Sequence, residues 1–131
     1  MKNNFFKLLE YLYYFSLTVL FILYLFPGSL FGYFLYGDLR QQPNIINNSI
    51  GTSINHLIFF TYISKLGLAS RLKNKKFINS FQFLFFISIF LEFLHRFIPN
   101  RAFEYNDLLA NTIGVVFAYL LIKFILKRKI S

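Results

Sequence analysis

The chain has 131 residues, of which 56% are hydrophobic and 22% aromatic, whereas only 15% carry a charge. Soluble domains contain about 25% charged residues, so this composition is typical of an integral membrane protein, here small enough to form one domain. The absence of cysteine excludes disulfides and thiolate metal sites. The two histidines are too few for a zinc site unless carboxylates contribute.

The net charge of +9 is high enough for a nucleic-acid-binding protein, but the basic residues flank apolar segments. Lys and Arg in such positions orient membrane helices, whereas nucleic-acid binders gather them on one face of a folded domain. We therefore predict membrane lipids as partners and no nucleic acid. The sequence also predicts neither a metal nor another cofactor.

The first predicted element is a membrane-spanning helix over residues 5–26. About 20 residues, each rising about 1.5 Å, cross a hydrocarbon core of about 30 Å. A secretory signal has a shorter apolar core followed by a small-x-small cleavage site, which residues 26–29 do not provide. Pro27 ends the helix, because proline cannot continue the hydrogen-bond ladder.

A long connection follows the first helix. Its first part, residues 30–36, is too short to span and rich in aromatic rings, which favour the headgroup region. We therefore expect an interfacial or re-entrant segment there. Its second part, residues 38–52, is polar and contains turn residues.

Three further spans are predicted over about residues 54–70, 77–98 and 107–126. The 54–70 segment has the weakest signal, and it spans only if Lys65 snorkels and its polar residues face other helices. The 77–98 segment ends at Pro99. The predicted fold is an all-α bundle of four transmembrane helices.

The basic residues orient this bundle. If both termini are cytoplasmic, eleven basic residues lie inside and three outside. The inner set is Lys2, Lys7, Lys65, Arg71, Lys73, Lys75, Lys76, Lys123, Lys127, Arg128 and Lys129, and the outer set is Arg40, Arg96 and Arg101. This positive-inside bias predicts cytoplasmic termini, an even number of spans and a multi-pass protein of the plasma (inner) membrane.

The polar residues that are costly to bury gather at the outer ends of the predicted helices. They are His56, Glu92, His95, Arg96, Arg101, Glu104, Asp107 and Asn111. Charged residues within spans usually face the bundle interior or water. Asp107, Asn111 and Gly114 share one helix face by their spacing, and Gly114 permits close approach of a neighbouring helix. We expect five of these side chains to line one outward-opening cavity between the second, third and fourth helices: His56, Glu92, Arg101, Asp107 and Asn111.

Each of these residues also has a structural explanation. Glu92 and Arg96 have the spacing of an intrahelical ion pair, and Asp107 has the position of a helix N-cap. His56 is compatible with simple packing, and Asn111 with a hydrogen bond between helices. These explanations do not account for the gathering of all of them at one depth.

Two stretches resemble the signature of the VanZ-like family: EFLHRFIPNR at residues 92–101 and DLLANTIG at residues 107–114. The family pattern is Glu, two residues, usually Gln, then Pro and Arg, and later Asp-Leu, Asn and Gly. The matching positions are Glu92, Pro99, Arg101, Asp107, Asn111 and Gly114. His56, followed by Leu57 and Phe60, resembles the family's His-aromatic motif. The resemblance covers about residues 54–121.

The sequence departs from that pattern at two places. His95 stands where Gln is usual, and Thr52 and Ser53 stand where an Asp-Lys pair often precedes the histidine. The family is one of small, four-helix membrane proteins without a settled activity, and its founding member is associated with low-level teicoplanin resistance. The resemblance therefore implies an envelope protein without naming a reaction.

Three functions are compatible with these observations. The first is a non-enzymatic envelope protein that binds a lipid headgroup or a glycopeptide-related ligand, with Arg96 and Arg101 suited to phosphate or carboxylate. The second is an intramembrane enzyme acting on a lipid-linked envelope intermediate, with His56 or Glu92 as general base. The third is a structural subunit with a membrane-protein partner. The candidate functional residues are His56, Glu92, His95, Arg101, Asp107 and Asn111.

Overall fold

A computed structural model describes residues 2–43 and 50–130, and part of the predicted 38–52 connection therefore lies outside the described residues. Within these ranges the ordered elements are all helical. The α-helices are α1 (Lys2–Leu25), α2 (Leu30–Tyr36), α3 (Gly51–Arg71), α4 (Phe81–Leu94) and α5 (Tyr105–Ile130). A 3₁₀ turn, Phe77–Asn79, precedes α4.

Contacts between side chains show the directions of the long helices. Ser53 on α3 bonds to Asp107 on α5, so the first turns of these two helices lie side by side and the helices run parallel. At the middle of α1, the Tyr13 hydroxyl donates to the carbonyl of Ile78, just before α4. Tyr24, in the last turn of α1, lies beside His56 near the start of α3 and beside His95 just after α4. Helices α1 and α4 therefore run opposite to α3 and α5.

Helices α3 and α5 form the most extensive helix pair of the bundle. Gly114 lies at their closest approach, where a Cβ atom would be 2.9 Å from the carbonyl oxygen of Leu57 and 3.0 Å from the amide nitrogen of Thr61. Both are backbone atoms, so a side chain at Gly114 has no room. The sequence predicts this close approach, and the structure identifies α3 as the neighbouring helix.

Polar as well as apolar side chains are buried in the bundle, and large apolar side chains are exposed on its surface. Glu92 and Asn111 are fully buried, whereas Phe34, Phe86 and Phe124 are exposed. A small apolar cluster, which includes Leu20, fills the middle of the bundle. Large exposed apolar surfaces are rare on soluble monomers, but they suit a helix surrounded by lipid tails.

Among the described residues, two helices are long and apolar enough to cross a membrane, Asn3–Leu25 and Tyr105–Lys129. Helix α3 has 21 residues but a lower apolar content, and α4 has only 14 residues. At about 1.5 Å per residue, α4 alone is shorter than the hydrocarbon core of about 30 Å. The count of four spans therefore stays a prediction, as does the orientation of the termini.

The third predicted helix, residues 77–98, is shorter in the structure at both ends. Ser80 caps the N-terminus of α4 by accepting a hydrogen bond from the Phe83 amide, so the helix begins at Phe81. After Leu94 the chain continues as tight turns with hydrogen bonds from residue i to residue i−3. Pro99 disfavours helical geometry at Ile98, so the α-helix does not resume after these turns.

The other helix limits differ by a few residues from the predicted 5–26, 54–70 and 107–126, because helices extend past their apolar runs. The aromatic segment 30–36 forms the short helix α2, capped by Ser29, whose hydroxyl accepts from the Gly32 amide. Gly37 ends it with φ of 69°, a left-handed conformation that glycine adopts without strain. The rings of Phe31 and Phe34 are exposed, and their interfacial location stays a prediction.

Candidate functional site

Four helix ends meet at one end of the bundle and bring distant polar residues together. His56 lies one turn into α3, with Nε2 3.4 Å from Oδ2 of Asp107 and Nδ1 3.8 Å from Oε2 of Glu92. Asn111 joins them, since its Nδ2 lies 3.5 Å from the same Glu92 oxygen. We call His56, Glu92, Asp107 and Asn111 the polar cluster.

The two carboxylates of the polar cluster are held in the same manner. Oδ1 of Asp107 accepts from the Ser53 hydroxyl at 2.5 Å, and Oε1 of Glu92 accepts from the Glu104 amide at 3.2 Å. In each case the second oxygen points towards His56. Both side chains are almost completely buried, so their orientation is set by protein groups rather than by solvent.

Tyr24, in the last turn of α1, completes the hydrogen bonding of the polar cluster. Its hydroxyl lies 2.7 Å from Nδ1 of His56 and 3.0 Å from Oδ1 of Asn111. Sequence reasoning missed this residue, because a tyrosine in an aromatic-rich apolar helix carries no distinguishing signal. Ser53, noted in the sequence only as a departure from the family pattern, is the partner of Asp107.

His95 is a fully packed neighbour of the polar cluster. Its Nδ1 lies 3.4 Å from Oε2 of Glu92, and its Nε2 lies 3.2 Å from the backbone carbonyl of Tyr24. The His95 ring also stacks on the Tyr24 ring, with centroids 5.0 Å apart. Two histidines therefore flank one buried carboxylate.

Arg101 makes a contact with α1 that the sequence does not predict. Its guanidinium donates to the carbonyls of Leu23, at 2.5 Å, and Phe26, at 3.5 Å, so it satisfies the C-terminal end of α1. Burial lowers the pKa of Arg101, whereas the charges of Glu92 and Asp107 act in the opposite direction. Arginine nevertheless stays protonated in proteins, so a fixed positive charge lies beside the polar cluster.

A cavity of about 110 Å³ opens next to the polar cluster, between α1, α2 and α3. Its polar lining comes from Tyr24, Ser29, Gln42, Asn55, His56 and Arg101. The sequence predicts a cavity between the second, third and fourth predicted helices, and this prediction is wrong about which helices form the cavity wall. Glu92, Asp107 and Asn111 lie behind His56 because helix packing buries them, and His56 alone of the polar cluster lines the cavity.

The structure tests the simple structural explanations for Glu92, Asp107 and Asn111, and only the one for Asn111 is confirmed. Arg96 is exposed and Glu92 pairs with histidines, so no intrahelical Glu92–Arg96 ion pair is formed among the described residues. Asp107 lies in the first turn of α5, which begins at Tyr105, and its carboxylate contacts α3 rather than capping its own helix. Asn111 does form hydrogen bonds between helices, to Ser88 and Glu92 on α4.

Negative potential extends from the polar cluster towards the α4–α5 connection. Burial raises the pKa of the Glu104 carboxyl, and the charges of Asp107 and Glu92 raise it further. Chemically, the arrangement combines a histidine at a cavity wall, buried carboxylates that orient it, and a nearby arginine. Such a set is able to bind an anionic or polar group, to transfer a proton, or to coordinate a cation.

Comparison with known proteins gives one match. A sequence model of the VanZ/LLP1 family matches residues 5–127, which is nearly the whole chain. No significant match was found among curated proteins or among solved structures.

Proposed function

This chain belongs to the VanZ/LLP1 family, and on that premise we propose that it is a multi-pass membrane protein that binds a polar lipid headgroup. The binding site is the cavity beside the polar cluster. The observation that supports this function best is the presence of His56 and Arg101 in the wall of the same open cavity. One side chain provides a hydrogen-bonding ring, and the other provides a fixed positive charge.

Arg101 suits an anionic group even though it contacts the end of α1. A guanidinium has more N–H groups than the two that bond to Leu23 and Phe26. The remaining N–H groups are available for phosphate or carboxylate oxygens, which guanidinium binds with favourable geometry. Ser29, Gln42 and Asn55 add neutral polar groups to the wall.

The size of the cavity favours a headgroup over a whole molecule. A volume of about 110 Å³ exceeds the roughly 10–15 Å³ that one water requires, but ligand pockets usually have about 300–1,000 Å³. Only a small polar group therefore fits inside. The acyl chains of the same lipid would lie against the exposed apolar side chains around the opening, such as Phe31.

The positive-inside bias of the sequence supports an outward-facing site. With cytoplasmic termini, the ends of α1 and α4 and the beginnings of α3 and α5 lie on the outer side of the plasma membrane. The ligand would then be an outer-leaflet lipid or the headgroup of a lipid-linked envelope intermediate.

Native mass spectrometry of the protein from nanodiscs tests this proposal. The nanodiscs contain either phosphatidylglycerol, which is anionic, or phosphatidylcholine, which is zwitterionic. We expect one retained phosphatidylglycerol in the wild type and a strong loss in Arg101→Gln. Arg96→Gln is the matched control, since Arg96 is exposed and does not line the cavity.

Because Arg101 also stabilises the end of α1, a second variant separates binding from folding. Asn55→Leu replaces a polar group of the cavity wall by an apolar one and removes the hydrogen bond from Asn55 to the Pro43 carbonyl, but it leaves the contacts of Arg101 with α1 in place. If Asn55→Leu and Arg101→Gln both retain lipid like the wild type, the proposal is wrong.

A second candidate function is catalysis on a lipid-linked substrate. The observation that favours it is the 3.4 Å separation between Nε2 of His56 and Oδ2 of Asp107, at the cavity wall. A carboxylate beside a histidine stabilises the protonated form of its ring, as a general base requires. Incubation of the purified protein with lipid-linked envelope precursors, followed by mass spectrometry, detects any product. Turnover lost in Asp107→Asn but kept in Glu104→Gln supports catalysis, and the absence of any product contradicts it.

A further inference from the structure

The ligand atoms of His56, Glu92 and Asp107 converge as those of a metal site do. One ligand atom from each residue lies within 4.8 Å of the others. The 3.4 Å between Nε2 of His56 and Oδ2 of Asp107 matches the roughly 3.4 Å expected between two ligands of a tetrahedral centre with bonds of roughly 2.1 Å. Imidazole and carboxylate are both common ligands of divalent metals.

Hydrogen bonding determines which nitrogen of His56 is free. Nδ2 of Asn111 donates to the carbonyl of Ser88, so its Oδ1 is the acceptor for the Tyr24 hydroxyl. The single proton of that hydroxyl is thereby used, and Nδ1 of His56 must donate to the Tyr24 oxygen. In the neutral ring Nε2 then carries a lone pair.

That lone pair points at a carboxylate oxygen. Two electron pairs 3.4 Å apart repel each other unless a proton or a cation lies between them. Oδ1 of Asp107 is already occupied by the Ser53 hydroxyl, so Oδ2 is the oxygen that remains for a cation.

Hydrogen bonds from neighbouring groups hold these ligands in place. The Glu104 amide donates to Oε1 of Glu92 and holds that carboxylate in place. The Tyr24 hydroxyl oxygen bonds to Nδ1 of His56, which leaves Nε2 of the same ring free. Metal-binding residues are usually oriented by hydrogen bonds of this kind. His56 also lines the open cavity, which provides a path for a cation to enter.

The charges of the cluster determine the charge of the cation. Glu92 and Asp107 are buried, and their ion-pair partners in the described residues are histidines rather than lysine or arginine. The nearby Arg101 donates to backbone carbonyls. Arg101 adds one positive charge nearby, but it forms no ion pair with either carboxylate, so with neutral histidines a divalent cation supplies the direct charge partner that the two buried carboxylates lack.

We propose that His56, Glu92 and Asp107 bind one divalent transition-metal ion, of the class of Zn²⁺ or Mn²⁺. The sequence alone predicts no metal, because it places these residues at one depth without giving the distances between their ligand atoms. The competing arrangement has no metal and two protonated histidines, His56 with Asp107 and His95 with Glu92. The two arrangements predict opposite results when metal is added.

The test uses the full chain, purified in mild detergent, stripped with EDTA and titrated with Co²⁺ as a spectroscopic probe. We expect one equivalent to bind, with visible absorption bands from the coordinated ion, and Zn²⁺ to displace it. Zn²⁺ should also raise the melting temperature of the wild type, a measurement that requires no variant. Absence of both binding and a melting shift overturns the proposal.

Variants then assign the ligands. Glu92→Gln, Asp107→Asn and His56→Gln should each weaken metal affinity by at least about 100-fold, since loss of outer-shell partners alone costs about 10–100-fold. Glu104→Gln is the matched control, because this neighbouring carboxylate is exposed. If all three ligand variants bind Co²⁺ like the wild type, the metal lies elsewhere and the assignment is wrong. The result is independent of lipid binding, which Arg101→Gln reports.

Discussion

Asn111 and Glu92 connect two helices through a direct contact between fully buried side chains. Nδ2 of Asn111 lies 3.5 Å from Oε2 of Glu92 and 3.3 Å from the carbonyl of Ser88, while its Oδ1 accepts from Tyr24. One amide therefore links α5 to both α4 and α1. A buried polar group that loses such partners keeps its desolvation cost, so this link is important for stability.

We expect Asn111→Leu to lower the free energy of unfolding by about 1–3 kcal/mol, because the Tyr24 hydroxyl and Glu92 lose a buried partner. Unfolding in detergent, followed by circular dichroism in the presence of EDTA, measures the loss without any contribution from metal. Thr112→Val is the control, since the Thr112 hydroxyl bonds only to carbonyls of its own helix. Equal stability of Asn111→Leu and the control would show that the contact contributes nothing.

The gathering of the polar cluster at one end of the bundle was predictable from the sequence. Helix spacing places Asp107 and Asn111 on one face, and the helix directions predicted from the basic residues bring Glu92 and His56 to the same end. The partners inside the cluster were not predictable. Tyr24 has no distinguishing signal in the sequence. Arg101 bonds to backbone carbonyls at the end of α1, and because every residue has a backbone carbonyl, the sequence does not identify these partners.

Hydrophobicity alone also did not predict where α4 begins and ends. Apolar character continues from residue 77 to residue 98, but the helix is limited by the Ser80 cap and by the turns before Pro99. Capping and turn geometry depend on backbone hydrogen bonds rather than on apolar content. The close approach at Gly114 was predictable, because only a missing side chain allows two backbones so near to each other.

We expect Gly114→Ala to destabilise the protein by about 1–3 kcal/mol, the usual range for inserting atoms into a packed interior. The added Cβ would meet backbone atoms of Leu57 and Thr61, and these cannot move without shifting α3 against α5. The same unfolding assay measures the change. Val116→Ala, at an exposed position on the same helix, should have little effect. A Gly114→Ala protein as stable as the wild type would mean that α3 and α5 are less closely packed.

The orientation of the bundle is testable by single-cysteine labelling, because the chain has no cysteine of its own. We expect a membrane-impermeant maleimide to label Ala102→Cys in intact cells, since the α4–α5 connection should be extracellular. Lys75→Cys, exposed in the α3–α4 connection, should react only after the cells are permeabilised. The reverse pattern would invert the topology and place the cavity on the cytoplasmic side.

The last prediction concerns the role of the buried carboxylates. Glu92→Gln and Asp107→Asn retain side-chain shape and hydrogen-bonding capacity but remove the charges that orient His56 and would hold a cation. We expect both variants to accumulate in the membrane and to fail to complement a deletion strain. The readout is susceptibility to envelope-targeting antibiotics, including teicoplanin, with membrane abundance measured on the same cells. Glu104→Gln should complement fully, because its side chain is exposed. Full complementation by both Glu92→Gln and Asp107→Asn would show that the two carboxylates have only a structural role, because side-chain shape without charge would then be sufficient for function.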